Sequence, residues 1–315
     1  MSNSSPDITI VGAGITGAAA AYRLNQLGAR AEVYETSLIP GGRMARFEFS
    51  GVVFDHGAQF FTTRSNEFQS LVNDAANDGA TQVWTHGFGD TPDGYERWRG
   101  VPDMTALADW LLKKSEATVH LGKSVEDLRH IDTPGIILTA PIPVSLSLAT
   151  TSGFKPPSKI LEQLETVEYK RTVAVLLVLN QQPLAMPPTG GIQLIDDPYL
   201  AFITDNQAKG VSSVPALTIH LSNEASLDLW DQPDEIIVEF AIEKMGAHIA
   251  DVDAGDHSVT RWRYAGPVDV IPELSVVWSE QPTLVMAGEA FNGPKVEGAF
   301  NSGIDAANKV VECVS

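Results

Sequence analysis

Six residues constrain this chain more than any others: Gly12-Ala13-Gly14-Ile15-Thr16-Gly17. They directly follow a short apolar strand, Ile8 to Val11, and open a segment with helical spacing, Ile15 to Leu27, which Gly28 is placed to stop. Ala31 to Tyr34 then reads as a second strand, parallel to the first, so the opening is a βαβ unit. In such a turn the first glycine permits tight reversal and the second lets the backbone approach a pyrophosphate. The third allows close packing of helix on strand. The helix N-terminus offers unsatisfied N–H groups and a partial positive charge to phosphates. The G-x-G-x-x-G spacing alone is weak evidence; its neighbours decide what it means.

Those neighbours are informative. Glu35 ends the second strand, 18 residues past Gly17, where a carboxylate can accept hydrogen bonds from an adenosine ribose. Thr36 follows it, and the same carboxylate disfavours a 2′-phosphate there. Pro40-Gly41-Gly42-Arg43-Met44 adds backbone donors and a cation suited to a pyrophosphate. Together these elements resemble the FAD-binding module shared by flavin amine oxidases and their relatives. Near the other end, Gly288-Glu289 closes an apolar strand, and Val296-Glu297-Gly298-Ala299 precedes the last helix. By that resemblance Glu289 bonds the ribityl chain. The backbone at Gly298 and Ala299 lies against the flavin pyrimidine edge, with the helix dipole stabilising negative charge on the reduced ring.

Four further blocks, in order, narrow the resemblance. Asp55-His56-Gly57-Ala58-Gln59-Phe60-Phe61-Thr62 looks like the renalase signature. Trp98 to Leu107, Arg261 to Pro267 and Val296 to Gly303 match that family as well, and Phe202 to Lys209 fits its N-x-x-K stretch loosely. The chain is accordingly identified as resembling bacterial renalases. The resemblance implies a non-covalent FAD enzyme that oxidises 2- and 6-dihydro isomers of NAD(P)H and reoxidises with O2, giving H2O2. It places His56, Gly57, Ala58 and Gln59 on the cofactor with Arg43, Met44 and Ala140, and Val125 against the adenine. Gln59, Phe60, Tyr169, Phe202, His220 and Trp262 then shape the substrate cavity. No catalytic side chain is assigned, because hydride loss from a dihydropyridine restores an aromatic ring and needs chiefly a well-placed donor carbon. The chain departs from the pattern in having Ala290 and Ala225 where the family has tryptophans, and in a short Val125–Ile136 stretch. Two alternatives therefore stay open: a flavin amine or amino-acid oxidase, and a flavin-binding protein without turnover.

The expected fold is α/β: a G-x-G-x-x-G FAD-binding domain with an inserted mixed-sheet α+β substrate domain. Strands near both termini belonging to one sheet would leave the middle of the chain as an insertion, and on that reading residues 1–66, 98–155 and 262–315 form the cofactor domain and 67–97 with 156–261 the substrate domain. Phe47 to Phe54 reads as a hairpin around Ser50-Gly51, Met104 to Lys114 as a helix, and Ala299 to Val311 as the terminal helix. Thr172 to Leu179 reads as a strand, and Ile237, Ala241 and Met245 give a helix begun by Pro233 its apolar face.

Composition closes off other classes. With 40 acidic and 21 basic residues the net charge is −19, unsuited to nucleic acid or an anionic membrane. Residues 223–256 carry ten acids and one lysine, whereas residues 1–60 carry five acids and four arginines, so the acidity does not fall on the nucleotide motif. The longest apolar run, Val173 to Leu179, is seven residues against the ~20 of a membrane span. A lone cysteine, Cys313, and a start without a basic n-region lead to the expectation of a cytoplasmic, soluble protein. No HExxH, CxxC, P-loop lysine or G-x-S-x-G is present, so no metal is expected.

Overall fold

The computed structural model describes residues 8–88, 93–183, 186–250 and 252–314. The stretch Met1 to Asp7, on which the expectation about the start of the chain rests, lies outside them. Among the described residues no helix is long and apolar enough to cross a membrane. The chain divides into two compact units, the first Met1–Gly42, Leu107–Glu168 and Gly266–Ser315, the second Arg43–Ala106 and Tyr169–Ala265.

The first unit is built on a six-stranded sheet in the order Ser275–Glu280, Thr283–Ala287, Gly135–Leu138, β1 (Ile8–Val11), β2 (Ala31–Glu35), Thr118–Leu121. All neighbours pair in parallel except the antiparallel edge strand Ser275–Glu280. Its inner strands are continuous apolar runs because both faces are covered: Ile8, Ile10, Ile136, Ile137, Leu284 and Val285 are fully buried. Helix α1 (Ile15–Gln26) carries four consecutive buried alanines, Ala18 to Ala21, which let it sit close to the sheet and to the terminal helix Val296–Val314. That helix begins three residues earlier than the sequence suggests. Gly298 lies within it, and the Ala299 N–H already donates to the Lys295 carbonyl and closes the turn.

The second unit holds a five-stranded sheet in the order Gly191–Gln193, Leu200–Asp205, Ala216–Leu221, Tyr169–Leu179, Ala254–Pro267. The first three pairings are antiparallel. Alternation along Tyr169–Leu179 sends Val173, Val175 and Leu177 to one face, against Ile237, Ala241 and Met245 of the helix Asp234–Met245. On the other face Leu176 meets Val52 and Phe54. Those belong to the hairpin Arg46–Phe49/Val52–Asp55, whose turn residues Ser50 and Gly51 both have positive φ, as a two-residue turn requires. This packing decides where the hairpin belongs. The sequence reading groups residues 43–66 with the nucleotide-binding segments, whereas the buried face of the hairpin draws them into the second unit.

The helix expected from Met104 starts instead at Ala106. The Met104 N–H donates to Asp55 Oδ1 at 2.9 Å, and the Asp103 side chain and carbonyl cap the N–H groups of Thr105 and Ala106. Met104 is thereby held in the turn before the helix.

Candidate functional site

In the first unit the two glycine-rich motifs meet. Gly14 and Gly41 form a parallel bridge, and the Gly41 N–H donates to the Ala13 carbonyl at 2.8 Å. A Cβ at Gly17 would collide with the Gly12 carbonyl oxygen, so the helix can approach β1 this closely only with glycine there. Gly14, at the N-cap of α1, supplies no side-chain acceptor, and no acid lies in the helix's first turn. The positive end of the helix thus opens on a cradle of backbone, which is what an anion needs.

Glu35 borders the same turn. Its Oε2 accepts the Ala13 N–H and its Oε1 the Ser37 N–H, both at 2.8 Å. A carboxylate offers about four acceptor positions, and these two N–H groups use two. The Lys123 N–H donates to the Glu35 carbonyl and Ser124 Oγ to Thr36 Oγ1, which brings the chain leading to Val125 alongside. Ala140 follows Thr139, whose hydroxyl donates to the Val11 carbonyl at 2.9 Å, and the Gly288 N–H donates to Ser302 Oγ at 2.8 Å. Glu289 is buried, and Glu297 lies in the first turn of the terminal helix with Val296, Gly298 and Ala299. The residues named on this unit therefore gather at the carboxyl ends of the parallel strands, the usual ligand edge of such sheets.

In the second unit the loop His56–Gln59 leaves the hairpin under tight control. The Ala58 N–H donates to the Arg43 carbonyl at 2.9 Å, and a Cβ at Gly57 would collide with that same oxygen. Arg43 donates through Nη1 to the Tyr264 carbonyl at 2.9 Å, and Met44 is buried beside it. The His56 carbonyl accepts two donors, Trp262 Nε1 at 3.0 Å and His220 Nε2 at 3.1 Å. The His56 ring stacks on Phe47 and lies 4.7 Å from Trp262. Burial, with His220 nearby, pushes the His56 pKa down to about 4, and burial lowers that of His220. Phe60 and Phe202 join a cluster of rings with Trp84 and Phe88, at centroid distances between 5.0 and 6.3 Å. Tyr169 pairs edge-on with Tyr264 at 5.3 Å.

Sequence reasoning missed what anchors this loop. Lys209 Nζ lies 2.7 Å from Asp55 Oδ2, both side chains being sealed from solvent. Both residues sit in stretches singled out by their resemblance, but nothing in a linear pattern pairs positions 55 and 209. Trp84 and Phe88, also missed, carry no local signal at all. Ala225, where the family has a tryptophan, is a buried member of the core around Val173, its N–H donating to Ser222 Oγ in a helix cap.

Comparison with known proteins gives these observations a family. Residues 10–75 match an NAD(P)-binding Rossmann-like domain, and residues 104–311 match the family of flavin containing amine oxidoreductase. The chain belongs to the flavin-containing amine oxidoreductases. The chain shares its fold with a putative protoporphyrinogen oxidase from Exiguobacterium sp. 255-15, at a TM-score of 0.71 and 13% identity over 98% of this chain and 99% of that one. Reduced UDP-galactopyranose mutase gives a TM-score of 0.70 at 12% identity, over 98% and 96%. Protoporphyrinogen oxidase 2 of Arabidopsis thaliana, chloroplastic/mitochondrial, is 36% identical over 67 residues, 21% of this chain and 13% of that protein's length. The family is one of flavin-containing oxidoreductases, and the likeness to solved structures shows the α/β fold of this chain.

Proposed function

We propose that this protein holds FAD non-covalently and oxidises dihydronicotinamide isomers, the 2- and 6-dihydro forms of NAD(P), with O2 as electron acceptor. The observation that carries the cofactor reading is the crossing of Gly14 and Gly41 above an uncapped helix N-terminus, with Glu35 beside it. In this reading the Gly12–Gly17 turn, Gly42 and Arg43 hold the pyrophosphate, and Glu35 accepts from ribose hydroxyls. Glu289 takes the ribityl chain and the backbone at Gly298 and Ala299 the pyrimidine edge. By the same resemblance, Met44 and the loop His56–Gln59 are assigned to the cofactor. The single thiol, Cys313, is exposed in the terminal helix and is a poor point of covalent attachment.

When bound, the flavin would supply a two-electron acceptor: dihydronicotinamide, O2 and one proton give the oxidised nicotinamide and H2O2. The chain's own residues have then to bind and orient rather than to exchange protons. The two histidines suit that role, since both stay neutral near pH 7 and the His220 N–H is spent on the His56 carbonyl.

The test is anaerobic mixing of the purified yellow protein with 2- or 6-dihydro-NAD(P). Rapid bleaching of the flavin is expected, and lasting yellow colour would defeat the substrate assignment. The ring cluster around Phe60 and Phe202 supports a second reading, an amine oxidase. Bleaching by a primary amine, with none by the dihydronicotinamides, would transfer the assignment to it.

A further inference from the structure

The charge sealed inside the second unit is not used by the chemistry above. An ammonium and a carboxylate buried together cost much desolvation, and well-packed apolar residues of like volume often serve stability equally well or better. The pair therefore calls for a role beyond stability, and its contacts suggest one. Lys209 Nζ donates to the Gln59 carbonyl at 2.6 Å and lies 4.7 Å from the Trp84 ring centroid. Asp55 Oδ1 accepts the Met104 N–H at 2.9 Å. The Asp55 N–H donates to Asn206 Oδ1, and its carbonyl accepts both Gln59 Nε2 and Thr218 Oγ1. Thus the residue before the loop His56–Gln59 and the carbonyl that ends it are both tied to one lysine. The Gln59–Phe60 peptide is trans, so a carbonyl turned toward Lys209 turns the Phe60 N–H the opposite way.

We propose that Asp55 and Lys209 are positioning residues. Their pair fixes the path of His56–Gln59 and the facing of the Gln59–Phe60 peptide, the loop that the reading above, on which this rests, assigns to the flavin. Lys209 acts through that loop and not on the reacting atoms.

The decisive variant removes both charges at once. In Asp55→Asn/Lys209→Met neither member of the pair is left without the other, the buried Arg99 keeps the carboxylate of Asp103 nearby, and Asn can still accept the Met104 N–H. A role in stability alone predicts that this double variant regains the wild-type thermal midpoint, flavin spectrum and loop order together. Positioning predicts that the midpoint returns while amide exchange over residues 57–60 runs at least about tenfold faster, with the strand Tyr169–Leu179 unchanged. The visible flavin bands would also shift, and kcat would fall with KM little altered. Wild-type exchange and an unshifted spectrum in the double variant would overturn the proposal. If that variant does not fold, the wild type decides. There the Ala58 amide must exchange as slowly as the Tyr169–Leu179 strand, and fast exchange at Ala58 overturns the clamp. A wild type that purifies without flavin defeats the cofactor reading, while the exchange measurement still decides the clamp.

Discussion

The Gly12–Gly17 turn and the His56–Gln59 loop solve the same problem, holding backbone in a fixed shape, by opposite means. The turn does it with absence: glycine where a Cβ would collide with the Gly12 carbonyl, and an N-cap without a side chain. Its acid is close in sequence, Glu35 lying 22 residues from Ala13, and a more distant side chain on it, the Thr139 hydroxyl, donates to the Gly12 carbonyl at 3.2 Å. The loop does it with presence: a charge pair, an amide and two hydroxyl- or ring-bearing side chains brought from positions more than 150 residues away. A backbone cradle is tolerant of what surrounds it, because backbone groups satisfy one another. A side-chain clamp in a dry interior fails when one member is lost, because the others cannot turn to water.

That contrast can be broken at its strong end first. Lys209→Met alone strands the Asp55 carboxylate, and it should cost ~3–5 kcal/mol of unfolding free energy in urea titration. A loss below ~1 kcal/mol would mean that water reaches Asp55 and that the clamp is not dry.

Next comes pH. The His56 pKa is held at about 4 in the folded chain against about 6.5 when unfolded, so between those values the unfolded state binds more protons. Stability from this site is complete above pH ~6.5 and is lost as pH falls toward 4, by up to ~3 kcal/mol. The depressed His220 acts in the same direction. Denaturant midpoints measured from pH 7 to 4 should flatten in His56→Asn; an unchanged slope would remove the histidine from the account.

On the turn the expected effects are smaller in stability and larger in cofactor. Gly17→Ala forces β1 and α1 apart, costing ~1–3 kcal/mol, and the variant should purify without its yellow colour. Full retention of flavin would show that the helix is not seated as closely as its backbone suggests. At the bottom of the scale, Lys113→Ala breaks an exposed i,i+4 pair with Asp109 and should change stability by only ~0.3–0.5 kcal/mol. A larger effect there would undo the premise that solvent exposure separates the two regimes.

Legibility follows the same division. The βαβ opening, the Ser50-Gly51 hairpin and the apolar face Ile237–Ala241–Met245 could be read from the sequence because each depends on neighbours within a turn or a strand. The start of the helix at Ala106 could not, since what holds Met104 out of it is an aspartate 49 residues earlier. Nor could the placement of residues 43–66, which the contact of Phe54 with Leu176 decides. That Ala225 is buried in the core around Val173 is likewise a fact of the fold alone.

By itself, then, the sequence determined the nucleotide turn, its glycines, its acid and the family those motifs belong to, because spacing along the chain sets that geometry. Only the tertiary structure joined Asp55 to Lys209, Trp262 to the His56 carbonyl and Trp84 to Phe202. Those contacts arise where strands distant in sequence become neighbours in a sheet. Burial then decides which side chains must find a partner, and sequence spacing carries no record of burial.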